Sequence, residues 1–482
     1  MPALPRSSHL LVTVTAVATL VACRGDRESS GRATLSYYES YDPRSLDPAL
    51  STDVPTGEMV TLTYDGLTQF DADGHLLPAL ADRWTAGGEG GRRYVFHLRA
   101  GVKFHDGTPL TAAAVRASFL HVLDPTTKGG RPWPLYPIAG AEAYAAGHSR
   151  DVQGIEVLGD TALVFTLAEP LAIFPKFLAM PVASVVPTPL PGSLRERPVG
   201  TGPWRLVTWQ HDDYLRFVRN PGYWGGAPAA ETLTVRIVPE PLTRAAEFEA
   251  GRLSVLEVPF GETARWRRER PGDLVEKPAL RVVYVALNNR RGPLRDVRVR
   301  QAINRAVNVP EILATVYGRR GIPSRGAIPP ALAGSDTTRP RYDYDPGAAR
   351  ALLAEAGYRR GREAARKGET DMVILDWWAD YPDADNFLYP LFYSGSFGPG
   401  GNYAFYSDPV TDTMLLRARR TTDDAARTDV YRRIDERVYR AAPWLYLWFP
   451  TDLWARRPEL AGWDVPVIFN GQRWTRARVA PR

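Results

Sequence analysis

The sequence predicts an α/β protein with mixed sheets, and three observations carry that prediction. Strand-like and helix-like stretches alternate along the chain instead of segregating into halves. Apolar residues make up 44% of the 482, with 13 Trp, 22 Tyr and 16 Phe, enough for a large packed core. Turn residues (41 Gly and 42 Pro) occur throughout, and no Pro/Gly/Ser linker divides the chain. At about 100–200 residues per domain, the length implies two to four units sharing one interdigitated chain.

Short alternating or apolar runs predict strands at Tyr94–Leu98, Ala162–Leu167, Tyr214–Arg219, Leu233–Val238, Val282–Leu287 and Met372–Trp377. Helix starts are marked by side chains able to cap free amide groups. Thr111 precedes AAAVRASFLHVL, and Asp296 precedes VRVRQAINRAVN, whose apolar residues keep one face. Asp345-Pro346 opens a helix that Gly357 closes, the Pro-first, Gly-last asymmetry. A longer helix is expected from about Asp423 to Ala442, with Val430, Ile434 and Val438 at i+4 spacing and Pro443 beyond. No internal repeat is present.

The charge balance is mild. With 60 basic and 54 acidic residues, the net charge of +6 implies no polyelectrolyte surface, and nucleic acid is not an expected partner. All but 5 of the basic residues are Arg, a skew that reads as codon bias and not as phosphate binding.

The N-terminus is more specific. Leu10–Ala22 is an uncharged run of 13 residues, too short to span a membrane but of the length of a secretory apolar region. It ends Leu20-Val21-Ala22-Cys23 and is followed by polar residues, a pattern that resembles the bacterial lipobox. Cys23 is the only cysteine, which excludes a disulfide framework or a thiolate metal site. The expectation is a lipoprotein signal peptide at 1–22, a lipidated Cys23 and a tether at 23–30. The rest would be held outside the cytoplasm, at a membrane surface, by lipid alone. An ordinary signal peptide with a chance cysteine is the alternative.

Catalytic motifs are missing. There is no GxGxxG after a strand, no P-loop, no HExxH and no GxSxG, and the 7 His form no i, i+4 pair. His97 and His105 read as packing or surface residues. No metal, nucleotide or other cofactor is therefore expected. One stretch stands out: DWWADYPDADNF places Asp376, Asp380, Asp383 and Asp385 among Trp377, Trp378 and Tyr381. Paired carboxylates about 5–10 Å apart could hydrolyse glycosides. Aromatic walls around one carboxylate also suit an organic cation. A third reading has the tryptophans in the core and the aspartates capping turns. Spacing alone favours packing, then binding, then catalysis.

The order of motifs narrows this. LDPAL (46–50), YDGLTQFDADGHLLPALADRW (64–84), FHLRAGVKFHDGTPLTAAAVRASF (96–119), GTGPWRL (200–206), NPGYWGG (220–226), NNRRGPLRDVRVRQAINRAVN (288–308), AEAGY (354–358) and WADYPDADNF (378–387) follow one another as in a single family. From about Ser36 onward the chain resembles the solute-binding proteins of peptide-type ABC importers, the dipeptide- and oligopeptide-binding lipoproteins. The resemblance implies a bilobed periplasmic-binding-protein-like fold with an extra domain on lobe one. Lobe I would comprise 31–66, 151–280 and 460–482, the extra α/β subdomain 67–150, and lobe II 281–459, with strand crossings near 280 and 459.

It implies further a monomer that is not an enzyme, capturing a peptide or similar small solute and passing it to ABC permease subunits. Members of the family also carry opines, nickel complexes, heme and sugars. Asp380 would pair with the α-ammonium of the ligand, beside Trp377, Trp378 and Tyr381. Val54 and Thr56, and Thr201 and Gly202, would contact its backbone. Asn288 and Asn289 match a structural pair at the lobe junction.

The chain departs from the family in three places. Thr201 stands where oligopeptide binders can carry Asn, and Ile374 where they can carry Arg. Between Tyr358 and Asp371 only the 12 residues RRGREAARKGET intervene, where the family has a strand–helix–strand unit of roughly 30–50 residues. Lobe II is thus expected to be truncated near 358–371 and to expose sheet and helix surface there. A deletion or sequence error ranks ahead of a specialised compact lobe. Two rival readings follow: a secreted hydrolase using Asp376–Asp385, and a truncated receptor that binds nothing.

Overall fold

A computed structural model describes residues 34–88, 91–192, 194–358, 371–398 and 400–480. The expected signal peptide, Cys23, the tether and the stretch 359–370 lie outside the described residues.

The predicted strands form within a residue of the expected limits, at Arg93–Leu98, Ala162–Thr166, Tyr214–Arg219, Thr232–Ile237, Arg281–Leu287 and Met372–Trp378. The predicted caps also form. The Thr111 hydroxyl accepts from the Ala114 amide at 3.1 Å ahead of helix Ala112–Leu123. Asp296, Asp345 and Asp423 cap helices Val297–Ala306, Pro346–Glu355 and Asp424–Ala441 in the same way. Gly357 follows its helix at φ +90°, a conformation open to glycine at little cost.

Three sheets organise the chain. In the first, Thr34–Glu39 runs parallel to Thr232–Ile237, with Tyr214–Arg219 and Trp204–Gln210 added antiparallel. Its buried face carries Leu35, Trp204, Phe217 and Val235. The second is antiparallel, in the order Ala81–Gly87, Arg93–Leu98, Ala162–Thr166, Ile155–Leu158, and packs Phe96 and Phe165 against Phe119 of helix Ala112–Leu123. Residues 162–166 pair directly with 93–97. The domain limit expected at 150 therefore falls inside a hydrogen-bonded sheet that extends to Thr166.

The third sheet is built on the 13-residue strand Trp444–Arg456. Its first part, to Pro450, pairs with Arg281–Leu287 and Gly321–Pro323. From Thr451 onward it pairs with Leu274–Pro278 and Val255–Glu257. The change of partners falls at Pro450–Thr451, earlier than the crossing expected near 459. Proline cannot donate to a ladder, and the Pro450 carbonyl instead accepts from the Ala279 amide at 3.1 Å.

Met372–Trp378 pairs with Arg281–Leu287 on one side only among the described residues. Met372, Val373 and Ile374 are 49%, 38% and 66% exposed. Helix Pro346–Glu355 buries only Ala349 fully.

Candidate functional site

The WADYPDADNF segment is a strand-to-helix turn. Strand Met372–Trp378 ends where Ala379 donates to the Leu280 carbonyl at 2.9 Å. Pro382 follows, and the Asp383 side chain then caps helix Ala384–Phe392 by accepting from the Asp385 amide at 2.9 Å. Asn386 reaches back and fixes the turn. Its Oδ1 accepts from Trp377 Nε1 at 3.0 Å and from the Asp380 amide at 3.1 Å. Asp380 is thereby aimed away from the helix, with its carboxylate 14% exposed.

Each carboxylate of the cluster has its own partner. Asp376 receives Arg281, whose Nε donates to both oxygens at 2.7 Å. Asp383 binds Lys176 at 2.6 Å with Arg427 at 3.4 Å. Burial opposes its ionisation, but these two cations hold its carboxyl below the ordinary range. Asp385 is fully buried, accepts from the Tyr381 and Tyr431 hydroxyls at 2.7 and 2.9 Å, and is pushed up by burial. Asp380 is bound by Arg131 at 2.8 Å. The cluster is thus a set of separate clamps between elements.

Arg131 comes from a loop 249 residues away in sequence. The loop's two glycines bring it close. A Cβ on Gly129 would sit 2.6 Å from the Ala49 carbonyl oxygen, and one on Gly130 would sit 2.5 Å from Thr52 Cγ2. The Arg131–Asp380 pair stands at the join of two cavities. One, of about 250 Å³, is walled by Asp53, Val54, Met180, Trp378 and Phe469. The other, of about 950 Å³, runs past Trp133, Phe177, Trp377, Tyr381, Tyr389 and Arg419. Trp378 presents its other neighbour, Arg281, stacked 4.5 Å from its ring centroid.

The structure thus brings Asp380, Trp377, Trp378, Tyr381 and Val54 together around these cavities. It puts Thr56, Thr201 and Gly202 elsewhere. Thr56 is fully buried in the first turn of helix Val54–Thr63, and its hydroxyl accepts from the Arg44 amide at 3.3 Å. Thr201 donates to buried Asp65 at 2.8 Å, and a Cβ on Gly202 would sit 2.5 Å from the Thr63 carbonyl carbon. Asp65 also accepts from Trp224 Nε1 at 3.0 Å, from the Tyr223 hydroxyl at 3.2 Å and from Arg473 at 2.5 Å. Three motifs, YDGL, GTGPW and NPGYW, therefore meet on one buried carboxylate away from the cavities. Asn289 ties the start of its loop to the carbonyls of Leu287 and Ala404. Arg131 and Phe469 line these cavities unforeseen in the sequence analysis, as do Met180, Trp133, Phe177, Tyr389 and Arg419. The GGRP turn was the only available signal for Arg131, and Phe469 carried none.

No helix among the described residues is long and apolar enough to cross a membrane. None of them form a cluster of three or more His, Cys, Asp or Glu suited to a metal ion.

The model of bacterial extracellular solute-binding proteins, family 5 (middle), matches residues 75–364. The dipeptide-binding protein of Escherichia coli K12 is 28% identical over 526 aligned positions, covering 96% of this chain and 97% of that protein. The glutathione-binding protein GsiB of Shigella dysenteriae is 28% identical over 477 positions, covering 88% and 90%. Among solved structures, the periplasmic binding protein DppA of Helicobacter pylori in complex with the peptide STSA superposes with a TM-score of 0.77 at 26% identity, covering 93% of this chain and 98% of that one. The unliganded open form of the murein tripeptide binding protein MppA has the same fold, with a TM-score of 0.78 at 22% identity and coverage of 93% and 98%. With a bilobed α/β fold throughout and a family model spanning more than half its length, the chain belongs to family 5 of the bacterial extracellular solute-binding proteins.

Proposed function

We propose that this protein is the lipid-anchored receptor of an ABC importer, capturing a peptide or similar amine-bearing solute beside Asp380 and delivering it to the permease. The carrying observation is Asp380 itself: a half-buried carboxylate between two cavities, flanked by Trp377, Trp378 and Tyr381 and held by a cation from another element. An ammonium group entering there would share or displace Arg131 and gain a charge-assisted hydrogen bond in a poorly solvated site. The peptide- and glutathione-binding relatives support the same substrate class. Cys23 at the lipobox position supports the anchor.

The protein performs no chemistry in this reading, because each carboxylate of the cluster already serves a structural partner. Truncation of lobe II at 359–370 is part of the proposal. The 526 positions aligned with the dipeptide-binding protein exceed the 482 residues here, so that relative has stretches without a counterpart.

Asp380→Asn should weaken binding of free-amine peptides by about 2–5 kcal/mol, roughly 30-fold or more, in titration calorimetry. N-acetylated peptides should bind wild type and variant alike. Unchanged affinity for free-amine peptides would remove Asp380 from the site. A melting temperature indifferent to every peptide would favour the receptor that binds nothing, and peptide turnover abolished in Asp383→Asn would favour the hydrolase.

A further inference from the structure

A third cavity, of about 140 Å³, lies next to the Asp380 site and shares Val54, Trp378 and Phe469 with it. Its walls come from the end of strand Thr34–Glu39, helix Val54–Thr63 and strand Trp444–Arg456. Two carboxyl groups meet there. Glu39 and Glu58 both line it, close enough that burial and the Glu58 charge together push the Glu39 carboxyl up. Tyr37 donates its hydroxyl to Glu58 Oε2 at 3.0 Å. Glu39 is 5% exposed, and its Oε1 has no hydrogen-bond partner.

Among the described residues no cation lies within ion-pairing distance of either glutamate. Arg244, which also lines the cavity, donates its Nε to the Val238 carbonyl and its Nη2 to the Pro239 carbonyl and the Ser40 hydroxyl, and its charge acts on Glu39 against the effect of burial. Its guanidinium lies over the Tyr38 ring at 4.8 Å. Asp452 and Glu257 line it too, the latter 3.4 Å from Arg320. Aromatic rings also line it, including Trp378, Trp454 and Trp474.

A buried acceptor without a donor is costly, and an apolar occupant would leave it so. A planar or tetrahedral nitrogen cation would instead fill the empty acceptor, pair with carboxylates and face aromatic rings. Taking about 30 Å³ per water as a scale, the volume suits one side-chain head group and not a second residue. We propose that this cavity takes a guanidinium or alkylammonium side chain of the bound solute, so that the receptor prefers basic peptides. The inference rests on the adjoining Asp380 cavity holding the ligand's backbone.

Proton release should accompany binding. Burial and the Glu58 carboxyl push Glu39 well above the ordinary range, and burial pushes Glu58 up to about 7. The groups facing them are Tyr37 on the strand of Glu39, Asp53 at the cap of the helix of Glu58, Arg244 from helix Pro241–Glu249, and Tyr38 beside Glu257. A cation drawn to the two carboxyls favours their ionised forms and releases a proton to buffer.

The test is calorimetry of the full chain with tripeptides carrying arginine at each position in turn, against the same peptides carrying citrulline, a neutral near-isostere, and with agmatine. At one position or more, arginine should bind at least ten-fold tighter than citrulline, with about one proton released. In Glu39→Gln/Glu58→Gln the arginine-to-citrulline ratio should fall to near one. If that variant does not fold, proton release by the wild type, compared across buffers of different ionisation enthalpy, decides the matter. Citrulline and arginine peptides binding within ten-fold of each other at all positions would overturn the inference and leave the Asp380 reading intact. Agmatine binding without any peptide binding would uphold the cation cavity and overturn the peptide reading. No binding by any probe would overturn both.

Discussion

Asp65 and Asp380 are both half of an arginine pair, yet their surroundings give them different roles. Asp65 is fully buried, and its four donors come from three distant segments. Asp65→Ala should destabilise the fold by about 3–5 kcal/mol in urea unfolding, because Arg473 would be left buried without its counter-charge. Asp380 has a single cation, itself 34% exposed. Replacing that cation therefore acts on binding more than on folding. Arg131→Gln should tighten free-amine peptide binding by on the order of 1 kcal/mol, since a competing positive charge is removed from a partly screened site. Weaker binding in calorimetry would instead mean that Arg131 contacts an anionic group of the ligand. The sequence pointed to Asp380 through the resemblance of its WADYPDADNF segment to the family, and by the same resemblance it assigned Thr201 and Gly202 to the ligand. Their motif is locally distinctive, and nothing local says that its hydroxyl points at Asp65.

At the scale of elements, capping and periodicity were strong enough to place helices and strands almost to the residue. Thr111→Ala should cost about 1 kcal/mol in thermal melts, because the Ala114 amide loses its acceptor. Strand Met372–Trp378 is the exception in kind. Its apolar run reads as a buried strand, yet Ile374 is 66% exposed at a sheet edge. Ile374→Lys should change stability by less than about 0.5 kcal/mol and reduce self-association measured by light scattering, since charges on edge strands oppose strand addition. A loss of several kcal/mol would show that something covers this edge in solution. Val282, in the adjacent strand, is fully buried, and its truncation to Ala should cost more than the Ile374 change.

Across the whole molecule, buried carboxyls set the response to pH. Burial pushes Glu58 from its ordinary 4.5 to about 7, and burial with the Glu257 charge pushes Asp452 from 3.8 to about 7. The folded state thus holds these protons more tightly than the unfolded chain does. The associated stability is full below about pH 4 and is lost as pH rises toward 7. Asp383 works in the opposite sense. Its lowered value contributes stability above the ordinary carboxylate range that is lost on acidification. The melting temperature should therefore fall between pH 5 and 8, and Glu58→Gln should flatten that fall by on the order of 1–3 kcal/mol. An identical slope in the variant would remove Glu58 as its source.

The sequence by itself determined the fold class, the position of most elements and the family, and it pointed to Asp380 as a residue around which a site could be proposed. All of these follow from local periodicity, capping chemistry and ordered motifs. Only the tertiary structure decided which side chain answers each charge: Arg131 for Asp380, Arg473 for Asp65, and the Tyr37 hydroxyl for Glu58. It also decided that the second sheet runs on to Thr166 and that the strand before Asp380 is left at an edge. The physical reason is the same in each case. Ion pairs, strand partners and empty acceptors are set by proximity after folding, between residues whose separation along the chain gives no sign of it.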